Sequence, residues 1–413
     1  MKTLKISALV LLLATVFMAC QKSESLIILT NDTSIERIDE AITISRADLE
    51  KQIGKISKGL VPMLTSKNGE VLPSQVDDLD GDGQWDELFL LADIAANTTI
   101  NLKLSLVKPN DLPTFTLRSN VWLASPQEDG TYKEVKSVKR PEITRENHGQ
   151  TKKYFQFEGP GWENDRVGFR NYFDERNGID IFGKTTADMV LQNVGIDEDY
   201  HALQDWGMDI LKVGASLGAG SIALEIDGKL HRVAPGSEGS YELVANGPLR
   251  SIFRFRFNNW VINENTYSVV HEITIYGGAW YYVSKVSVEG SANIVTGITT
   301  IDLEDKQATF SDFDNGIVAI STHGQQAIEG EYLGMAVMLC KDSYIDFEYL
   351  DGKAEDINHT FIVRMKQSEK PSTFRFYSAW ELSDTKFTEA ESFQDLLKHD
   401  AQKIGSPLRV EIK

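Results

Sequence analysis

A mostly β protein of two domains is what this sequence predicts, on three observations. Segment after segment alternates apolar with polar residues or is rich in β-branched and aromatic ones, including 99–107 (TINLKLSLV), 251–257 (SIFRFRF), 268–276 (SVVHEITIY), 280–290 (WYYVSKVSVEG) and 373–380 (TFRFYSAW). A period of two puts one row of side chains on the core face of a sheet and the other row outside it. Helical spacing stands out in one place, 391–404, where Phe393, Leu396, Leu397 and Ile404 fall roughly on one face. Length is the third observation: 413 residues less a 19-residue leader exceed what one hydrophobic core usually serves.

Taken in order, the chain begins with Lys2 and Lys5 ahead of an apolar run from Ala8 to Met18 that stops at Ala19 and Cys20. A basic start followed by an apolar run too short to span a bilayer reads as a signal peptide over residues 1–19. The small residue directly before Cys20 resembles a bacterial lipoprotein signal, which implies acylation of Cys20, a cell-envelope location and membrane contact through that anchor alone. Without Lys2 and Lys5, 40 of the 42 Lys and Arg residues face 61 Asp and Glu, a formal charge of −21. Nucleic acid is a poor partner for such a chain, since binding it depends on clustered cations. Lipidation of Cys20 leaves Cys340 as the other of two cysteines, so no disulfide framework or cysteine zinc site is expected. Cys340 ends the run GMAVMLC and is expected to be a buried, small apolar residue.

Residues 20–110 read as a small N-terminal β-domain, with KPNDLP at 108–113 leading out of it, and residues 111–413 as a larger domain with longer, more aromatic strands. Between 221–227 (SIALEID) and 229–234 (KLHRVA), Asp227–Gly228 predicts a hairpin, because Asp-Gly tolerates the positive φ angles of a type I′ turn.

In the first domain, DDLDGDGQWDEL places Asp78, Asp80, Asp82 and Asp86 at the spacing of a calcium loop, with the carbonyl of Gln84 as a further oxygen and Gly83 allowing a sharp turn. Phe89 stands where such a loop carries its bidentate Glu, and strands flank the segment, so an acidic turn bonding its own backbone is the other reading. Calcium bound here would be structural. No other cofactor is indicated.

The second domain carries its chemistry between Gly161 and Gly220. In a strand, Arg166, Arg170 and Tyr172 share one face and Phe169 and Phe173 the other. Arginine presents a planar fork that matches a carboxylate or sulfate, but pairing with Glu163, Asp165 or Asp174 would make the same residues a structural network. Further on, Tyr200 and His201 are candidate proton carriers with Asp205 to orient the imidazole, and His148 is exposed by composition and able to join the same cleft. Trp162 and Trp206 offer ring faces for a sugar, and Lys212, Glu163 and Asp205 offer polar contacts to it. The Gly214–Gly220 run lacks a following helix and GK[ST], which excludes a nucleotide cradle; close backbone approach beside a bulky ligand or ring accounts for it better.

The segments 71–94, 164–184, 199–220 and 246–254 together resemble a family of secreted Bacteroidota proteins known as a domain of unknown function and encoded beside polysaccharide-degrading enzymes. The first of these segments also resembles the N-terminal barrel of exo-acting rhamnogalacturonan lyases. The resemblance implies a small N-terminal β-barrel-like domain followed by a β-supersandwich of the galactose-mutarotase type, acting on acidic, uronate-containing oligosaccharides by elimination as a lyase or dehydratase. Elimination beside a uronate needs a cation on the carboxylate, a base for the adjacent C–H and an acid for the leaving oxygen. Arg166 and Arg170 fit the first role, His201 or Tyr200 the second, and Tyr200 or Tyr172 the third. Two other functions stay open. A glycoside hydrolase would draw two carboxylates from Glu163, Asp165, Asp205 and Asp209, and a non-catalytic glycan-binding lipoprotein would need the aromatics alone.

Overall fold

A computed structural model describes residues 25–233, 235–351 and 356–413; Cys20 and residues 1–19, on which the expected signal peptide falls, lie outside them. The chain is mostly β, built from several open sheets, and no barrel closes among the described residues. In the first domain a four-stranded sheet places Arg409–Ile412 beside Ser25–Asn31, then Thr98–Val107 and Val61–Thr65, and a three-stranded sheet joins Arg37–Ser45, Glu87–Ile94 and Ser74–Asp77. Ile27, Leu29, Leu88, Leu90, Leu102 and Leu104 fill the space between the two. The first-domain sheet therefore includes the last strand of the chain, which pairs antiparallel with the first, so 409–412 depart from the expected division at residue 110.

The larger domain has a nine-stranded antiparallel sheet whose middle is Arg250–Ile262, Asn265–Tyr276, Tyr281–Glu289 and Ser372–Trp380. Two five-stranded sheets contribute to the same core: one runs from Ser119–Trp122 through Gly161–Asn164, Val167–Asn171 and Ile179–Lys184 to Gly207–Asp209, the other is centred on Asn293–Thr299. Side chains from all three meet in one continuous cluster that includes Trp162, Phe169, Ile181, Leu224, Phe253, Tyr282 and Phe376. The aromatic strands of the sequence thus pack face to face, as large sandwich cores do.

The glycine run joins the two smaller sheets. Ala219 donates to the Ile179 carbonyl, and Thr299 donates to that of Gly218. Gly218 and Gly220 have φ of +63° and +88°, and a Cβ on Gly220 would sit 2.5 Å from the Tyr282 hydroxyl, so the close approach is to a ring of the core. The hairpin at Asp227–Gly228 forms with φ of +51° and +72°, as its turn type requires. The helix Ala390–Gly405 lays Phe393, Leu397 and Ala401 on the outer face of the nine-stranded sheet. Cys340 is a correction: it is exposed, because it is the last residue of Tyr332–Cys340, one position past the buried run that ends at Leu339.

Candidate functional site

Strand register builds the central feature. Antiparallel pairing sets Arg170 opposite Asp180, and Asp209 opposite Phe182. Phe169, Ile179, Ile181 and Met208 turn into the core, so Arg170, Asp180, Phe182 and Asp209 take the other face of the sheet. Phe157, Leu191, Val194, Tyr200 and Trp206 cover that face together with Phe182.

Beneath this cover Arg170 is 1% exposed. Its Nη2 lies 2.5 Å from Asp180 Oδ2, 2.8 Å from Asp209 Oδ2 and 2.8 Å from the Tyr172 hydroxyl, while Nη1 donates to the Tyr200 hydroxyl at 3.2 Å. Tyr172 in turn donates to Asp180 at 2.6 Å. Glu158 stands 3.9 Å from Nη1, at a left-handed φ of 78° that is rare for a residue with a side chain. The guanidinium carbon is boxed by rings: Tyr172 at 4.5 Å, Phe182 at 5.2 Å and Tyr200 at 5.4 Å. Burial works against the charge of Arg170, but the surrounding anions and hydroxyls prevail and hold it cationic. Burial and the neighbouring Asp180 push the Asp209 carboxyl well above the usual range, against the pull of Arg170. Burial likewise pushes the Tyr172 hydroxyl up.

Beside the cluster, His148, Tyr172, Arg176, Val213 and Gly214 line a cleft of about 340 Å3. Tyr172 belongs to both, which makes it the bridge from the buried charges to the open cleft. Arg176 stacks 3.9 Å over its ring while bonding Asp174 at 2.7 Å. His201, half-exposed, brings Nδ1 to 3.5 Å from Asp209 Oδ2. Burial, Arg170 and Lys152 all lower its proton affinity, so its imidazole is neutral at pH 7.

Several expected site residues sit elsewhere. Arg166 is in the turn before Val167–Asn171, not in the strand, and its exposed side chain lies 5.6 Å from the Trp280 ring. Trp162 is fully buried and stacked on Phe169 at 5.7 Å, closed to any sugar. Trp206 is 8% exposed, with its indole N–H given to Glu198 at 2.6 Å. Glu163 is buried against Lys184 Nζ at 2.6 Å and accepts from the Val190 and Leu191 amides, which makes it a structural anchor for the covering loop. Asp205 is exposed, and the carboxylate near His201 is Asp209 instead. Lys212 is exposed, 3.9 Å from Asp302. Tyr172, Tyr200, His201 and Arg170 do come together. Asp180 and Glu158 were missed; a charged residue between Ile179 and Ile181, placed symmetrically with Arg170 about the FDERNG turn, was the available signal.

In the first domain Asp78, Asp80 and Asp86 bring ligand oxygens within 4.8 Å of one another. Asp82 does not join them: its Oδ1 accepts from the Gln84 amide, and the Gln84 side chain donates to its Oδ2. Asp78 also accepts from the amides of Gly81 and Gly83, both at 2.8 Å. Three carboxylates on a tight turn fit a hard cation, and the same bonds serve a turn without one.

Fold and site define a β-supersandwich protein with a buried arginine–carboxylate cluster at the edge of a cleft. The chain belongs to the family described as Domain of unknown function (DUF4861), which matches residues 29–410. A curated relative, Uncharacterized protein P7 of Formosa agariphila, is 24% identical over 427 residues, 97% of each chain. An α-mannosidase structure from Enterococcus faecalis V583 shares the fold with a TM-score of 0.51 at 8% identity, over 95% of this chain and 46% of that one. A second structure from Enterococcus faecalis, a protein in glycosyl hydrolase family 38, gives 0.49 at 7% identity, over 94% and 47%. The chain thus spans about half the length of the solved structures it resembles. The expected carbon–oxygen lyase is corrected: the neighbour that shares the fold at a TM-score of 0.51 is described as an α-mannosidase, and at 8% identity the likeness is one of fold. Geometry gives the physical reason: the two-arginine clamp for a uronate does not assemble, since Arg166 is remote and Arg170 is already held by Asp180 and Asp209.

Proposed function

We propose that the protein is a glycan hydrolase acting on acidic oligosaccharides. The observation that carries this is a pair of carboxyl groups, Asp180 and Asp209, gathered on one buried guanidinium beside the Tyr172 cleft. Carboxyl groups in unequal environments are how one site keeps a proton donor beside a charged partner. Asp209 is the acid, and half-exposed His201, with Nδ1 3.5 Å from it, passes the proton on to the leaving oxygen. The bond that breaks is replaced by a C–O bond to water, so the products together exceed the substrate by one water. Arg176, which lines the cleft while bonded to Asp174, and Lys152 near Tyr200 are the cations nearest an anionic sugar there in an otherwise acidic chain. Incubation with a panel of acidic oligosaccharides, read by mass spectrometry, tests this. Product pairs with one added water are expected, and unchanged masses across the panel would overturn it. The sealed state of the cluster, with Arg170 and Asp209 at most 2% exposed, favours a second reading as a glycan-binding protein anchored at the cell envelope through Cys20, which would give unchanged masses with saturable binding.

A structural calcium ion on Asp78, Asp80 and Asp86 is a further part of the proposal. A ligand that binds only the folded chain at 100 times its Kd adds about 2.7 kcal/mol. Melting in excess calcium should therefore occur several degrees above melting in chelator, and equal midpoints would leave the loop as a turn only.

A further inference from the structure

On the outer face of the nine-stranded sheet, where the helix Ala390–Gly405 and the first domain meet it, lies a pocket of about 240 Å3 lined in part by Tyr276, Trp280, Tyr281, Arg375, Asp400 and Lys403. Arg375 stands between Phe374 and Phe376, which point into the core, so its side chain points out of the sheet toward this pocket. Among the described residues it makes no ion pair, and its Nε is buried without a hydrogen-bond partner. Its polar neighbours are the hydroxyls of Tyr281, Tyr276 and Tyr377. Burial pushes all three hydroxyls up, so at neutral pH they carry no charge to balance the guanidinium.

The carboxylates around the pocket are already matched. Asp39 is held by Arg118, Glu40 by Arg37 at 2.8 Å, and Asp400 lies 3.7 Å from Lys403 and accepts from the Tyr377 hydroxyl at 3.2 Å. Arg118 is shared between Asp39 and Asp165, and Lys403 between Glu40 at 3.5 Å and Asp400 at 3.7 Å, so these carboxylates are held by cations other than Arg375. A buried charge without a partner is costly, and a guanidinium fork matches a carboxylate in two parallel bonds. Rings with a few convergent polar groups are the lining of a small-molecule site, and the pocket is large enough for one sugar ring.

We propose that this pocket is a second ligand site, separate from the Arg170 cluster, which takes one carboxylate-bearing sugar unit through Arg375. Free uronic acid and the uronate end of an oligosaccharide present the same chemistry. The proposal does not depend on hydrolysis, because its test reads binding. Calorimetric titration of the full chain with D-glucuronate should give a saturable isotherm, with D-glucose and acetate at least about 30-fold weaker, the scale of losing the charged half or the remaining contacts of a buried pair. Arg375→Gln should weaken glucuronate by a similar factor. Arg375→Lys, which keeps the charge and loses the fork, covers the case in which the Gln variant fails to fold. A glucuronate-ended disaccharide distinguishes the two sources: binding as tight as the monosaccharide marks a glycan end, and binding of the monosaccharide alone marks the free acid, both in support. Absence of a glucuronate isotherm in the wild type, equal affinity in a folded Arg375 variant, acetate binding as tightly as glucuronate, or loss of binding in Asp209→Asn would overturn it.

Discussion

Arg170→Met is expected to cost the folded protein about 3–5 kcal/mol, the usual scale for removing one partner of a buried ion pair. Methionine roughly fills the volume, so the loss is electrostatic rather than a cavity. Asp180 and Asp209, at 1% and 2% exposure, then lose the cation that both contact, and the hydroxyls of Tyr172 and Tyr200 lose a shared donor. Denaturant unfolding should show a lower midpoint at unchanged slope, which marks lost stability rather than an altered unfolded state. Adding Asp180→Asn to the methionine variant should return part of the loss, because it removes one stranded charge. A loss below about 1 kcal/mol would mean that water reaches the cluster and that it is not the sealed network described above.

That arginine also marks where sequence reasoning stops. Alternation identified the strands, the Asp227–Gly228 turn and the helix over Phe393 and Leu397, because each is a local pattern whose cause lies within a dozen residues. The pairing of Arg170 with Asp180 is nearly as local, being set by hairpin register about one turn, but alternation alone does not specify that register. Asp209 arrives from a strand 39 positions on, and Glu158 from the segment before the sheet, so no spacing rule brings them to Arg170. Trp162 illustrates the opposite error. A tryptophan amid charged residues looked like a sugar platform, yet strict alternation in a short strand turns it into the core while Glu163 turns outward to Lys184. Arg166 failed for a related reason: the face-sharing argument holds only inside the strand, and the strand begins one residue later.

Asp209→Asn should lower turnover by about 10²–10⁴-fold, the range contributed by a positioned acid, without unfolding the protein. Asparagine has nearly the shape of the protonated carboxyl, keeps an oxygen to accept from Arg170 and has no proton to give. The stability of the variant provides an independent check, and its sign follows from linkage. Asp209 binds its proton more tightly folded than unfolded. Its contribution is therefore complete below the unfolded carboxyl value near 3.9 and is lost as pH rises through the folded value, at up to about 1.4 kcal/mol per pH unit for the one proton involved. Asparagine removes that term. Between the unfolded and folded values, wild-type stability should decline more steeply with rising pH than that of the variant, and at neutral pH the variant should unfold at equal or higher denaturant. A well-folded Asp209→Asn protein with the flatter pH dependence and no turnover identifies Asp209 as the acid. Turnover within threefold of wild type, or identical pH slopes, would move the acid to another group, with Glu158 next because it borders the same guanidinium and carries the strained backbone.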